Sequence, residues 1–258
     1  MNKIPLMAHL VAGYPSDELA KTAARGLAAG GASYFEIQFP FSDPSADGKA
    51  IQTACAETLA NGFRLEDGFA FVSHLRKTYP DIPVCIMTYA NLAYKTGIDA
   101  FAERAARAGA FGLIIPDLPF DTDEGLHAAC LKRGLVSIPV AAPSMTAERI
   151  ASLAALRRPY VYAALRAGIT GSDTVIDEAT LAFLASLSGS GSRILGGFGI
   201  RRGDQAAALS PAVHAVVAGS VFVDLIREHA GSASANPADA VFREIEAKTH
   251  ELCFPFGA

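Results

Sequence analysis

The sequence has no tryptophan in 258 residues, although it carries 15 phenylalanines and 7 tyrosines. That gap excludes no fold class. Cysteine is sparse as well. Cys55, Cys85, Cys130 and Cys253 are scattered and form no C-x-x-C pair, so they read as buried thiols of a reducing compartment rather than a disulfide framework. There is no run of Lys or Arg, and 22 basic against 26 acidic side chains leave a net charge of −4, which argues against a nucleic-acid partner. No apolar run approaches the roughly 18–20 residues that a membrane helix needs. The opening Met1-Asn2-Lys3-Ile4-Pro5-Leu6 lacks the layout of a secretory signal, so the cytoplasm is the expected location. The six histidines, His9, His74, His127, His214, His229 and His250, show neither H-x-H nor H-E-x-x-H spacing, and no metal site is expected. A G-x-S-x-G elbow, a P-loop and a G-x-G-x-x-G after the first apolar run are all missing, which removes support for acyl transfer, ATP use and dinucleotide binding. Lys3 and Lys49 are the only lysines expected near the mouth of a barrel, and neither suggests Schiff-base chemistry.

What is present is apolar. With 51% apolar and 19% charged residues, the chain cannot be intrinsically disordered. A domain of this length buries roughly 70–75% of its unfolded surface. Short β-branched runs alternate with longer Ala/Leu/Glu/Arg segments of helical period. Strands are expected near 6–11, 34–37, 84–87, 112–115, 136–140, 160–163, 194–195 and 215–217, and helices near 17–29, 64–78, 98–108, 122–132 and 146–156. Ser16, Asp99, Thr122 and Thr146 stand where N-caps belong. No linker divides the chain, so residues 1–258 are expected to form one (β/α)8 TIM barrel.

Active sites of such barrels lie at the C-terminal ends of the strands. After the second expected strand, Glu36 sits inside an apolar run, and Asp43 and Asp47 follow on a Pro-rich loop. A carboxylate at a dry mouth has its pKa raised by desolvation and suits a proton donor. A structural ion pair between Glu36 and a barrel Lys or Arg is the alternative, and Asp43 reads as a turn starter. After the seventh and eighth strands stand Gly196-Gly197-Phe198-Gly199 and Ala218-Gly219-Ser220. Glycines there admit a ligand to the backbone, and a helix opening at Ser220 would direct free N–H groups at an anion, so a phosphate site is expected at loops 7 and 8. Gly168-Ile169-Thr170-Gly171 reads as a closing loop after the strand bearing Tyr162. His9, on an otherwise apolar first strand, reads as a core or pocket-lining histidine.

Together these segments resemble the α subunit of tryptophan synthase, over the whole chain and in order. The resemblance rests on Ala12-Gly13-Tyr14-Pro15, on Glu36 followed by Pro40-Phe41-Ser42-Asp43-Pro44, Ala46-Asp47-Gly48 and Ile51-Gln52, and on Met87-Thr88-Tyr89-Ala90-Asn91. Ile114-Ile115-Pro116-Asp117-Leu118-Pro119, the Thr170 loop, Gly197-Phe198-Gly199-Ile200 and Gly219-Ser220 follow in register. It implies retro-aldol cleavage of indole-3-glycerol phosphate to indole and glyceraldehyde 3-phosphate, with no cofactor or metal in this chain. It implies Glu36 as the acid–base at indole C3 and the glyceryl hydroxyl, Asp47 as partner of the indole N–H, and Tyr162 beside Glu36. Gly171, Gly199, Gly219 and Ser220 would hold the phosphate, and His9, Met87, Phe198 and Thr170 would line the indole pocket or its loop. An α2β2 assembly with a pyridoxal-phosphate β subunit is also implied.

The chain departs from that pattern at Gln38-Phe39, Ser45, Lys49 and His9. Ser45 and Lys49 bear on loop closure and partner contact, and His9 replaces an aromatic wall residue. The short N-terminal helix that plugs the barrel bottom is expected to be missing or vestigial. Two other readings stay open: an isomerase or epimerase of a sugar phosphate, and a catalytically poor barrel that activates a partner.

Overall fold

The computed structural model describes residues 3–165, 176–189, 191–197, 199–231 and 236–255. Parallel strands alternate with helices: β1 (Leu6–Val11), α1 (Asp17–Gly30), β2 (Tyr34–Gln38), α2 (Lys49–Ala60), α3 (Leu65–Thr78), β3 (Val84–Met87), α4 (Ala90–Thr96), α5 (Ile98–Arg107), β4 (Gly112–Ile114) and α6 (Leu126–Lys132). After them come β5 (Val136–Ile138), β6 (Val140–Ala141), α7 (Ala147–Ala155), β7 (Tyr160–Ala164), α8 (Glu178–Ser188), β8 (Arg193–Gly197), α9 (Gly203–Leu209), β9 (Ala215–Ala218), α10 (Ser220–Ala230) and α11 (Pro237–Cys253).

The strand order is β5-β4-β3-β2-β1-β9-β8-β7-β6. Its two ends, β5 and β6, are halves of one barrel strand divided at Pro139, which has no N–H to give the ladder. The Pro139 carbonyl still accepts from Tyr162 N at 2.9 Å, so the sheet closes on itself. This is the expected eight-stranded barrel, with the single strand expected over 136–140 interrupted once.

Period-2 alternation sorts the strand side chains into two separate clusters. Leu6, Ala8, Phe35, Ile37, Val84, Ile86, Val161 and Val216 pack outward beneath the helices. Met7, Cys85, Met87, Ile114, Ile138, Tyr162, Leu195 and Val217 fill the interior. Burial on both faces explains the unbroken apolar runs.

Helix starts follow local chemistry. Ser16 and Thr146 cap α1 and α7 as expected. Thr122 does not cap α6. The Asp123 carboxylate instead accepts from Gly125 N and His127 N at 3.0 Å, Gly125 takes a left-handed conformation (φ 84°), and the helix begins at Leu126. Asp99 lies inside the first turn of α5 and pairs with Arg133, while Gly97 is the cap.

The bottom of the barrel is closed by aromatic rings at the strand starts. Tyr34, Phe111, Tyr160 and His214 meet at centroid distances of 5.5–6.4 Å. The Tyr34 hydroxyl bonds His214 Nε2 at 2.9 Å, and Arg193 Nη1 donates to the Tyr160 hydroxyl at 2.9 Å. Lys3, before β1, belongs to this end beside Gly31 and not to the mouth.

Candidate active site

At the other end of the barrel the strand register gathers polar groups. β1 and β2 run parallel with His9 opposite Glu36 and Val11 opposite Gln38. Alternation turns Glu36 and Gln38 to the same side of β2. His9 and Glu36 are 4% and 3% exposed, with His9 Nδ1 3.1 Å from Glu36 Oε2. Nδ1 donates in this pair when the carboxyl is ionised, and accepts when the carboxyl carries the proton. The partner of Glu36 is thus a histidine of the neighbouring strand, not a lysine or arginine. Burial pushes the His9 pKa down. The Glu36 hydrogen bond and the negative charges of Glu36 and Asp47 more than offset this, so His9 keeps its proton above the ordinary 6.5.

Asp47 reaches the same mouth through a tight loop. Ser45 N donates to Asp43 O at 2.8 Å and Asp47 N to Pro44 O at 3.0 Å, which folds the loop back and buries the Asp47 side chain. Asp43 stays exposed in that turn, as expected. Two donors, Gln38 Nε2 and the Tyr89 hydroxyl, each lie 2.8 Å from Asp47 Oδ2. Tyr89 is itself held by Ala46 N, which donates to its oxygen at 3.0 Å, and by stacking on Phe41 at 5.2 Å. Burial raises the Asp47 pKa, while the charge of His9 and the bonds from Tyr89 and Gln38 pull it back.

Tyr162 projects inward from β7, and burial, followed by the charges of Glu36 and Asp47, lifts its pKa well above 10.0. Its phenol stays neutral and can donate.

At the ends of β8 and β9 the cavity wall is rich in glycine. A Cβ at Gly197 would lie 2.0 Å from Val217 O, so only glycine fits there. Gly199 has φ +74°, the left-handed region open to glycine. Gly219 precedes α10, and Ser220 is the first residue of that helix. First-turn N–H groups lack intrahelical acceptors and sit at the positive end of the helix dipole, which together favour an anion. Arg201, on the loop after β8, places Nη1 3.4 Å from Ser220 Oγ and pairs through Nη2 with Asp224 at 2.8 Å.

A cavity of about 310 Å³ occupies this mouth. His9, Glu36, Asp47, Met87, Tyr162, Gly199, Gly219 and Ser220 all contribute to it, and Ile51, Ile114, Val140 and Val217 supply apolar wall. Of the expected site residues, Thr170, Gly171 and Phe198 lie outside the described residues. Among the described residues no group of three His, Cys, Asp or Glu side chains is arranged to hold a metal ion. Sequence reasoning assigned no role to Gln38, Tyr89 or Arg201. The aromatic at the end of β3 and the arginine pair after Gly199 were the available signals. Asp117, prominent in the fourth-strand motif, accepts from Ala90 N at 2.8 Å and so orients α4 rather than facing the cavity.

A largely apolar cavity that holds two carboxylates and an anion cradle suits an aromatic phosphate ester. Residues 1–251 match the family model described as tryptophan synthase alpha chain. The chain belongs to that family. It is 40% identical over 243 residues to the tryptophan synthase alpha chain of Helicobacter hepaticus, covering 92% of this chain and 91% of that one. It is 37% identical to the Methanosarcina acetivorans alpha chain, covering 93% and 87%. Among solved structures, Mycobacterium tuberculosis tryptophan synthase superposes with a TM-score of 0.86 at 31% identity, over 98% of this chain and 92% of that one. The tryptophan synthase complex of Pyrococcus furiosus gives 0.83 at 27% identity, over 98% and 99%. As a tryptophan synthase alpha chain the protein is a carbon–carbon lyase on the TIM-barrel fold. Among the described residues no helix is long and apolar enough to cross a membrane.

Proposed function

We propose that this alpha chain cleaves indole-3-glycerol phosphate in its mouth cavity, with Glu36 moving the protons and Asp47 holding the ring nitrogen. The observation that carries the reading is that both carboxylates share one cavity with the Gly199 and Gly219–Ser220 cradle. Indole is a poor carbon leaving group until C3 is protonated. Glu36 supplies that proton, and the indoleninium charge that results is met by the Asp47 carboxylate. As the C3–C bond breaks, its electron pair returns to the ring and the glyceryl hydroxyl loses its proton to the Glu36 carboxylate. Electrons flow into the indole itself, so the reaction needs no Schiff base, metal or cofactor from this chain. Tyr162 offers a neutral hydroxyl beside Glu36. Backbone amides at Gly199, Gly219 and Ser220, joined by Gly171, bind the phosphate, and Arg201 and Lys49 add positive charge just outside Ser220. Met87 packs against the ring, with Thr170 and Phe198 completing the pocket.

The assembly expected is α2β2 in the cytoplasm, with pyridoxal phosphate in the β subunit and indole passed between subunits. The complexes among its structural relatives support a β partner in general. The loop bearing Asp47 is the element suited to couple the subunits. Indole release from indole-3-glycerol phosphate by the purified chain, alone and with a tryptophan synthase β subunit, tests the reading. Indole formation that depends on this chain supports it. Absence of indole under both conditions, or turnover of a pentose phosphate instead, contradicts it.

A further inference from the structure

We propose that His9 is the proton-holding partner of Glu36, so that the proton delivered to the substrate belongs to the His9–Glu36 pair rather than to Glu36 alone. The inference rests on the reading of Glu36 as the acid–base.

Three observations place His9 in this role. The register of β1 on β2 sets the two residues side by side, and Nδ1 lies 3.1 Å from Oε2 with both side chains no more than 5% exposed. On the β9 side the ring packs over Gly219, where an added Cβ would come within 3.1 Å of His9 Cβ and 3.2 Å of Cγ, so the glycine gives the ring its place there. Its other nitrogen, Nε2, is buried without a partner among the described residues, in a residue that lines the cavity. A histidine serving only as core would have both nitrogens satisfied. This one is bonded on the Glu36 side and open on the other.

The surroundings decide the charge. Facing the pair are Asp47 from the loop after β2, Cys85 from β3, Tyr162 from β7 and Ser220 at the start of α10. No lysine or arginine lines the cavity among the described residues. His9 is therefore the group there that can carry positive charge beside two carboxylates. With the proton held on Nδ1, His9 is the imidazolium and Glu36 the carboxylate. The Nδ1–H bond breaks as an Oε2–H bond forms, and Glu36 passes that proton to indole C3. After the C–C bond breaks, the hydroxyl proton taken up by Glu36 returns to Nδ1. One proton leaves the pair and one comes back, with no further reactant.

Two measurements on the full chain test this. The first is a pH titration of the histidine ring ¹⁵N signals in ligand-free protein, with His9 assigned by its loss in His9→Asn. The His9 midpoint is expected above 6.5 and should fall in Glu36→Gln. The second is the pH profile of indole release by His9→Asn, whose amide keeps a donor near Nδ1 but cannot ionise. Expected are a loss in kcat of about tenfold or more, a change in KM of less than about threefold, and an alkaline limb displaced to lower pH. An unshifted limb with wild-type kcat would overturn the proposal, as would a His9 midpoint that ignores Glu36→Gln. If Glu36→Gln itself keeps wild-type indole release, the reading of Glu36 fails instead. The titration then still reports whether the pair exists.

Discussion

Gln38 donates from Nε2 to Asp47 Oδ2 at 2.8 Å, tying the loop carboxylate to the strand that carries Glu36. With Tyr89 donating to the same oxygen, that oxygen is committed to the protein, which under the proposed function leaves Oδ1 for the indole N–H. A residue without a side-chain donor at position 38 could not make this tie. Hydrogen bonds to a charged group are worth roughly 1.5–3 kcal/mol. Gln38→Ala is therefore expected to lower kcat/KM about 10- to 100-fold, with the fold intact by circular dichroism. Unchanged steady-state indole release would refute the tie.

The phenol of Tyr89 holds the Asp47 pKa down against burial. Removing it in Tyr89→Phe lets that pKa rise further. With Asp47 in its proposed role as the carboxylate, activity is lost wherever it is protonated, so the acidic limb of kcat/KM is expected to move to higher pH. A pH–rate profile that keeps its acidic limb in place would show that Asp47 is not the group titrating there.

Asp47 also has a stability consequence whose sign is fixed. Its folded pKa lies above the unfolded value because burial disfavours the charge. Folding therefore favours the protonated form, and its contribution is fullest below the unfolded pKa and lost as pH rises through the folded one. At neutral pH the ionised side chain weighs against the fold. Asp47→Asn is expected to lower kcat by at least about 100-fold and to melt at or above the wild-type temperature at pH 7. A clear drop in melting temperature would mean that the carboxylate stabilises the mouth instead.

Arg201 is held by Asp224 with its guanidinium beside Ser220. For a phosphate bound at the start of α10, Arg201→Ala removes a nearby charge and leaves the carboxylates untouched. KM should rise about three- to tenfold, with kcat nearly constant and a weaker dependence of KM on salt. A fall in kcat at constant KM would place Arg201 in the chemistry and not in binding.

Much of the fold is legible in the chain because two signals agree along it. β-branched runs covered on both faces mark the strands, and Ser16 and Thr146 mark helix starts that the structure reproduces. Where a local signal had a competitor, the competitor prevailed: Asp123 and Gly125 begin α6 later than Thr122 suggests, and Pro139 cuts one strand in two. Glu36, Asp47, Tyr162 and the Gly219–Ser220 helix start stand out in sequence as polar or glycine positions at strand ends, and one cavity collects them. His9, Gln38 and Tyr89 are harder to read. Their roles depend on cross-strand register and on a loop folding back, and neither leaves a periodicity in the chain. The aromatic layer at the bottom is hidden for the same reason, since Tyr34, Phe111, Tyr160 and His214 come from four distant strand starts.

The most direct test of the central claim is single-turnover indole release by Glu36→Gln and Asp47→Asn, measured with a β subunit present and with substrate binding followed in parallel. The account predicts that both variants bind indole-3-glycerol phosphate through the intact Gly219–Ser220 end and release indole at least about 100-fold more slowly than wild type. Release at the wild-type rate by either variant would contradict the role given to that carboxylate. Release at that rate by both would remove the chemistry from this cavity.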